Sequence, residues 1–384
     1  MQATCNARVG ATALSADVCV VGGGIVGLAH ALEADRRGLR VVVLERDDRQ
    51  VGASVRNFGH VFVGALADGE DLQRGLFARQ RWLELGARAG LAVHSAGTVI
   101  VARHEDELAL MGAVASDPAR RARMLTRDQV AELVPIPGEG LAGALHSRLD
   151  LRVDPRRAVG ALARLLADGR GVQVHWRQPV AVVQPGVAHA ATLTVKAPLI
   201  VVCPGPDLRG LPAALMDGCA ELTLCALQML RVRAPAGRRY GPALATGLSL
   251  IRYPAFARRP EAAAVRARLS EQRRELLEAG IHLLVCQLPD GDLVIGDTHR
   301  YDATPSPFRD ERLDELLLSE ARLLLGAPRL RVRERWQGVY PSAPEGNFLV
   351  SAPMPGVRVA QVVSGLGMTL AFALAAEVMD ELTG

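Results

Sequence analysis

Apolar residues gather in short runs that are separated by glycine turns or by longer stretches of helical spacing. DVCVVGGGIVGLAHALEADRRGLRVVVLERD (17–47) predicts a buried strand from Asp17 to Val21, a glycine turn and a helix to about Arg37. Gly38 stops that helix, and a second strand runs from Arg40 to Glu45, which completes a βαβ unit. APLIVVCPGPDLRGL (197–211) predicts another apolar strand, ending at Gly205. GVRVAQVVSGLGMTLAFALAAEVMDEL (356–382) predicts a strand, a glycine-rich turn and a long apolar helix. IHLLVCQLPDGDLVIGDTH (281–299) predicts two strands around a turn at Asp290–Gly291, while 261–279 and 309–325 have helical spacing. Residues 1–16 lack the apolar core of a signal peptide and are expected to form a flexible tail. No apolar run reaches the roughly 18 residues of a membrane span, so a cytoplasmic location is expected.

Composition narrows the function classes. At 384 residues the chain predicts two or three domains, large enough to bury a sizeable cofactor. The net charge of +4 raises the question of nucleic acid, but the arginines alternate with acids, as in RDERLDELLLSEARLL, which is the pattern of solvated helix faces. Nucleic acid is therefore not expected as a partner. Lys196 is the only lysine, which leaves almost no candidate for Schiff-base chemistry, and no phosphate loop ending in GK[ST] is present. The six cysteines form no C-x-x-C pair and read as thiols of a reducing compartment; no metal site is expected.

Gly22, Gly24 and Gly27 fill a G-x-G-x-x-G frame at the first strand-to-helix turn. The first glycine permits the turn, the second lets backbone approach a pyrophosphate, and the third lets helix pack on strand. The helix start, with Ile25 and Val26, would face the phosphates. Glu45, eighteen residues after Gly27, would accept the ribose hydroxyl protons and repel a 2′-phosphate, with Arg46 beside it. The motif does not separate FAD from NAD. Its position at the start of a two-domain chain favours FAD, with further contacts expected from Ser54, Asn57 and Gly59 in GASVRNFGH, from Val180, and from Gly205. Gly365, Gly367, Met368 and Thr369 would aim a second helix N-terminus at the flavin.

With those residues in view, the chain resembles the D-amino-acid oxidase and glycine/sarcosine oxidase family of FAD enzymes. GASVRNFGH, GALHSRLDLRVDPRRAV, LCALQMLRV, GLSLIRYPAF, GIHLLVCQLPDGDLVIGDTH and ERWQGVYPSAP resemble the subfamily associated with aminophosphonate breakdown. The resemblance implies an α/β architecture in which a Rossmann-like FAD domain (17–80, 150–215, 335–384) is interleaved with an α+β substrate domain (81–149, 216–334) built on an antiparallel sheet. It implies C–N bond oxidation of a small amine, with hydride passing to flavin N5 and the imine hydrolysing to an aldehyde.

In the glycine oxidase branch a W-x-G-x-R-P motif supplies an arginine for the substrate carboxylate. Here RWQGVYP (335–341) carries Tyr340 instead, and the C-terminal glycine turn, GLGM, has no second arginine. The acid group must be held elsewhere, which fits a phosphonate one carbon beyond the reacting centre. Strand parity and proximity to the strand ends nominate Arg252, Tyr253, His282, His299 and Tyr340 as substrate contacts. His60, Tyr253, Trp336 and Tyr340 form the expected catalytic set, with His60 as a candidate acceptor of the ammonium proton. The substrate expected is a hydroxylated or N-methylated 2-aminoethylphosphonate; the alternatives are an N-methyl amino acid, a glycine-like amine or a 2-hydroxy acid. Two features leave questions open. Arg300 stands where the subfamily usually has an acid, and the sole lysine lies far from the expected flavin, so oxygen or another electron acceptor is possible.

Overall fold

The computed structural model of the protein describes residues 12–169, 171–208, 215, 222–235 and 237–384. Its first unit is a six-stranded sheet in the order 348–354, 357–362, 199–202, 18–21, 41–44, 172–175. All neighbours are parallel except Phe348–Met354, which lies antiparallel to Val357–Val362 at the edge. The central strands are four-residue apolar runs (VCVV, VVVL, LIVV), as strands covered on both faces require.

Alternation along those runs sorts their side chains into two cores. Val18, Val20, Val41, Val43 and Val201 face the helices Ile25–Arg36 and Gly367–Thr383. Cys19, Val42, Leu44, Ile200 and Val202 face a small four-stranded sheet that includes Thr12–Ser15 and Leu193–Lys196. Each such buried Val or Leu contributes about 1.5–3 kcal/mol of transfer free energy, which holds strands this short in place.

The second unit is a nine-stranded, mostly antiparallel sheet. Its organising strand, Thr223–Val232, pairs with Leu293–Gly296, Arg300–Asp302 and the long strand Val332–Ser342. The expected hairpin is present as Leu284–Gln287 paired with Leu293–Gly296, and the helix Glu311–Leu325 covers the second unit's core.

Three boundary expectations change. Thr12–Ser15, placed in a frayed tail, pairs in parallel with Leu193–Lys196, and only residues 1–11 of that tail lie outside the described residues. Residues 335–342, assigned with the nucleotide unit, belong to the second sheet through continuous pairing with Thr223–Met229. Arg252 and Tyr253 sit in a turn ahead of the short helix Pro254–Ala257 rather than at a strand end, because Pro254 begins a helix there. Cys5 and Cys219 lie outside the described residues, and Cys19, Cys203, Cys225 and Cys286 are free and buried.

Candidate active site

Between the two units lies a cleft lined by residues of both. One end is built by the glycine turn. Gly22 has φ +109°, and a Cβ on it would lie 2.3 Å from the Cys203 carbonyl oxygen of the neighbouring strand; a Cβ on Gly27 would lie 1.9 Å from the Gly22 oxygen. Helix and strand therefore approach at a distance only glycine allows, which is the role expected of the third glycine. Gly24, Ile25, Val26 and Gly27 line the cleft, and the first turn of the Ile25–Arg36 helix carries no acid. Glu45 fastens the turn: its Oε2 accepts from the Gly23 N–H at 2.6 Å and its Oε1 from the Asp47 N–H at 3.0 Å.

A second helix N-terminus enters the same cleft. Gly365, Leu366, Gly367 and Met368 line it, and the Gly367–Thr383 helix also has no acid in its first turn. Two unopposed positive dipole ends, one per helix, thus meet in a single cleft. The glycine cradle and the donor chemistry fit a pyrophosphate-bearing dinucleotide with an electron-rich ring system, as FAD is.

The far end is lined by Phe62, Arg252, Tyr253, Asp297, His299 and Tyr340. Arg252 Nη1 donates to the Tyr301 hydroxyl and Nη2 to the Tyr340 hydroxyl, both at 3.1 Å. Among the described residues no carboxylate forms an ion pair with this guanidinium. The Tyr340 ring is wedged against Gly365, whose missing Cβ would lie 2.9 Å from its Cζ and Oη. Tyr340 thus takes the place expected of a carboxylate-reading arginine and positions a different arginine instead.

Burial sets the charges here. The phenols of Tyr253 and Tyr340 are pushed up by desolvation, Tyr340 well above its usual value, so both stay protonated. His60 and His282 are each pushed down to about 3, and His299 falls well below its usual value, by burial and by nearby guanidinium groups. All three are neutral at pH 7, and the two strand-end histidines pack edge to face at 5.0 Å. Arg252 is the charged donor of the group. Asp297, buried and pushed up to about 7 by desolvation against the opposing pull of Arg252, is the only acidic side chain among the described lining residues.

The expected site residues divide into several groups. Gly24, Ile25, Val26, Ser54, Asn57, Gly205, Gly365, Gly367 and Met368 line the cleft on the cofactor side, and Arg252, Tyr253, His299, Tyr340 and His60 on the substrate side. Ser54 and Asn57 are committed to the protein as well. Ser54 Oγ accepts from the Ile25 N–H at 2.9 Å, and the Asn57 amide donates to the Ala53 and Ser54 carbonyls while accepting from the Gly59 N–H.

The remaining expected site residues have these surroundings. Trp336 is not among the residues lining the cleft: it shares Tyr340's strand face but stands four residues, roughly 13 Å, along the strand, where its indole donates to the Arg56 carbonyl at 3.0 Å beneath the Arg156 guanidinium. His282 lies behind His299, with Nδ1 3.1 Å from the Leu248 carbonyl. Thr369 Oγ1 accepts from the Phe62 N–H, Gly59 is pressed against the Val153 carbonyl, and Val180 pairs with Ala190 in the small sheet. Arg46 is exposed and paired with Asp207. His60 is buried, stacks on Phe62 at 4.3 Å, and its Nε2 lies 2.8 Å from Thr98 Oγ1. A neutral imidazole with so low a proton affinity is a poor acceptor for an ammonium proton. Arg300 faces solvent in a pair with Asp310, so its replacement of an acid does not alter the cleft. The sequence gives Asp297 no role, although it shares strand parity with His299; only its burial in the cleft singles it out.

Residues 17–381 match the family described as FAD dependent oxidoreductase. Among solved structures the fold is similar to glycine oxidase from Geobacillus kaustophilus, with a TM-score of 0.73 and 20% identity over 96% of this chain and 95% of that one. It is similar also to L-proline dehydrogenase from P. horikoshii, with a TM-score of 0.78 and 16% identity over 96% and 94%. A 51-residue stretch is 45% identical to part of the anaerobic glycerol-3-phosphate dehydrogenase of Escherichia coli K12, covering 13% of this chain and only 9% of that relative. The family match spans both units and includes the glycine cradle and the second helix N-terminus, so the chain belongs to the FAD dependent oxidoreductase family.

Proposed function

We propose that this FAD-dependent oxidoreductase oxidises the C–N bond of a small aminophosphonate, a hydroxylated or N-methylated 2-aminoethylphosphonate. The observation that carries this reading is Arg252, held in the cleft by two tyrosine hydroxyls and paired with no carboxylate among the described residues. A fixed guanidinium with tyrosine hydroxyls around it supplies charge-assisted donors for a tetrahedral dianion. The loss of arginine at position 340 removes the usual anchor of an α-carboxylate, and the six sequence strings that resemble the aminophosphonate subfamily support the same substrate class.

FAD, held along the glycine cradle by the six-stranded unit, supplies the acceptor for the two electrons and the hydride when bound. Arg252 and Tyr340 hold the acid end and thereby fix the distance of the amine-bearing carbon from the cleft's cofactor side. Phe62, Leu227, Met229 and Leu284 form an apolar wall that keeps water from the reacting carbon. The imine product is hydrolysed to an aldehyde, and oxygen or another acceptor takes up the electrons. The nine-stranded unit serves as the substrate domain.

The test is anaerobic bleaching of the yellow holoenzyme by 2-amino-1-hydroxyethylphosphonate, N-methyl-2-aminoethylphosphonate, sarcosine, glycine and a 2-hydroxy acid. Bleaching by an aminophosphonate at the lowest concentration is expected. Faster reduction by sarcosine or a hydroxy acid, or colour that persists with every phosphonate, would overturn the reading.

A further inference from the structure

Two ionisable groups of opposite type, Arg252 and the buried Asp297, share the substrate end of the cleft without pairing with each other. Asp297 and Arg252 both line it, yet they form no ion pair within 4.0 Å. Burying one charge without a partner costs several kcal/mol, and two adjacent unpaired ones would be removed by a small side-chain shift if they were only structural. Here each is held apart by its surroundings. Arg252 is tethered to Tyr301 and Tyr340 on one side. Asp297 is fixed by backbone pairing, its N–H donating to the His282 carbonyl at 3.3 Å while its own carbonyl accepts from the His282 N–H at 3.1 Å.

The neighbouring histidine does not satisfy the carboxylate either. His299 Nδ1 lies 3.0 Å from the Gly280 carbonyl oxygen, which can only accept, so that nitrogen carries the ring proton. Nε2, 3.8 Å from Asp297 Oδ2, then presents a lone pair toward the acid. Asp297 Oδ1 is buried and has no hydrogen-bond partner among the described residues. The carboxyl therefore lacks a cation and has one oxygen without a donor among the described residues, close to a guanidinium that lacks an anion. A zwitterion with its ammonium at one end and its acid at the other supplies both.

We propose that Asp297 binds the substrate's ammonium group and accepts its proton before oxidation. This rests on the reading of the substrate as an amine. In the step, one ammonium N–H bond breaks, its electron pair stays on nitrogen, and an O–H bond forms on Asp297, giving a neutral amine and a carboxylic acid with no change of oxidation state. The two-electron loss from the adjacent carbon to FAD follows, and the carboxyl later returns its proton to solvent.

The groups facing Asp297 come from several elements: Arg252 and Tyr253 from the turn before Pro254, Cys225 from the Thr223–Val232 strand, and the His282–His299 pair. Of these Arg252 alone is charged at neutral pH. Asp297 must be ionised to receive a proton, so kcat/KM for anaerobic flavin reduction should rise with pH and level off above about 7, where its carboxyl titrates.

In Asp297→Asn, kcat/KM at pH 8 should fall by about 10²–10⁴-fold, the usual contribution of a positioned base, and the acid limb should vanish. Asp297→Glu should restore part of the rate and keep a limb. A binding measurement separates this role from a structural one. Calorimetry with ethylphosphonate, which has no nitrogen, should give the wild-type affinity in Asp297→Asn. The affinity for 2-(trimethylammonio)ethylphosphonate, a fixed cation that cannot be oxidised to an imine, should drop roughly tenfold or more, about 1.4 kcal/mol per decade. An Asp297→Asn enzyme with the wild-type pH limb, or equal weakening toward both ligands, would overturn the inference while leaving the aminophosphonate reading intact. Failure of every amine to reduce the wild-type flavin would overturn both.

Discussion

Replacing Gly365 with alanine tests whether the C-terminal glycine turn and the arginine anchor are mechanically one unit. Gly365 has φ +77°, a region that costs an L-residue about 1–2 kcal/mol. The added Cβ would lie 2.9 Å from Cζ and Oη of Tyr340, whereas carbon contacts are optimal near about 3.5–4.0 Å, so the ring must retreat by roughly half an ångström. It cannot do so freely: Tyr340 is registered opposite Cys225 in the sheet, and its hydroxyl accepts from Arg252 at 3.1 Å. Strain and steric terms together give about 2–3 kcal/mol of destabilisation, a fall of roughly 2–4 °C in the Tm of the FAD-saturated protein. Displacement of Arg252 should lower kcat/KM for an anionic amine by about tenfold, since a contact worth about 1.4 kcal/mol is lost. In a Tyr340→Ala background the steric part disappears and only the backbone strain remains, so the double-mutant cycle should show a coupling of about 1 kcal/mol. Additivity of the two substitutions within about 0.3 kcal/mol would refute the argument.

Arg252→Met should leave the flavin spectrum unchanged and reduce kcat/KM for aminophosphonates by roughly two to four powers of ten, if the guanidinium gives the phosphonate two charge-assisted hydrogen bonds of about 1.5–3 kcal/mol each; stopped-flow reduction measures it. Trp336→Phe removes a hydrogen bond to the Arg56 carbonyl, and should cost about 1 kcal/mol in denaturant unfolding. Its kcat/KM should stay within a factor of two of wild type, and a large loss would restore Trp336 to the catalytic set. Asp150, fully buried with its carboxyl pushed up to about 6 by desolvation, should lower stability as pH rises from its unfolded value near 4 through about 6, because the folded state holds the proton more tightly across that window. Above it the penalty is complete, about 3 kcal/mol at most. Asp150→Asn keeps the acceptor for the Gly64 N–H, so it should be more stable than wild type at pH 8 and not at pH 4; equal stability changes at both values would refute this.

The nucleotide-binding half was legible because its signals are local. Gly22 and Gly27 are spaced for a turn and a helix–strand contact that no other residue fits, and both contacts are present. Runs such as VVVL can be buried on both faces wherever they sit. The substrate end was legible only in part. Arg252, Tyr253, His299 and Tyr340 do meet in the cleft, but the motif that pointed to Tyr340 pointed equally to Trp336, which stands four residues along the same strand face and outside the cleft lining. The histidines were expected to help hold a dianion, and their burial leaves them neutral.

Hydrophobic period and backbone conformation act over a few residues, so the chain by itself determined the βαβ unit, the two glycine turns and the hairpin. Whether a charge is paired depends on which distant segments pack around it. Arg252, Asp297 and Tyr340 come from three elements whose meeting is set by the pairing of Thr223–Val232 with Val332–Ser342 and Leu293–Gly296. Only that tertiary arrangement withheld a partner from Arg252 and from Asp297, and desolvation inside it decided which of the surrounding groups keep their protons.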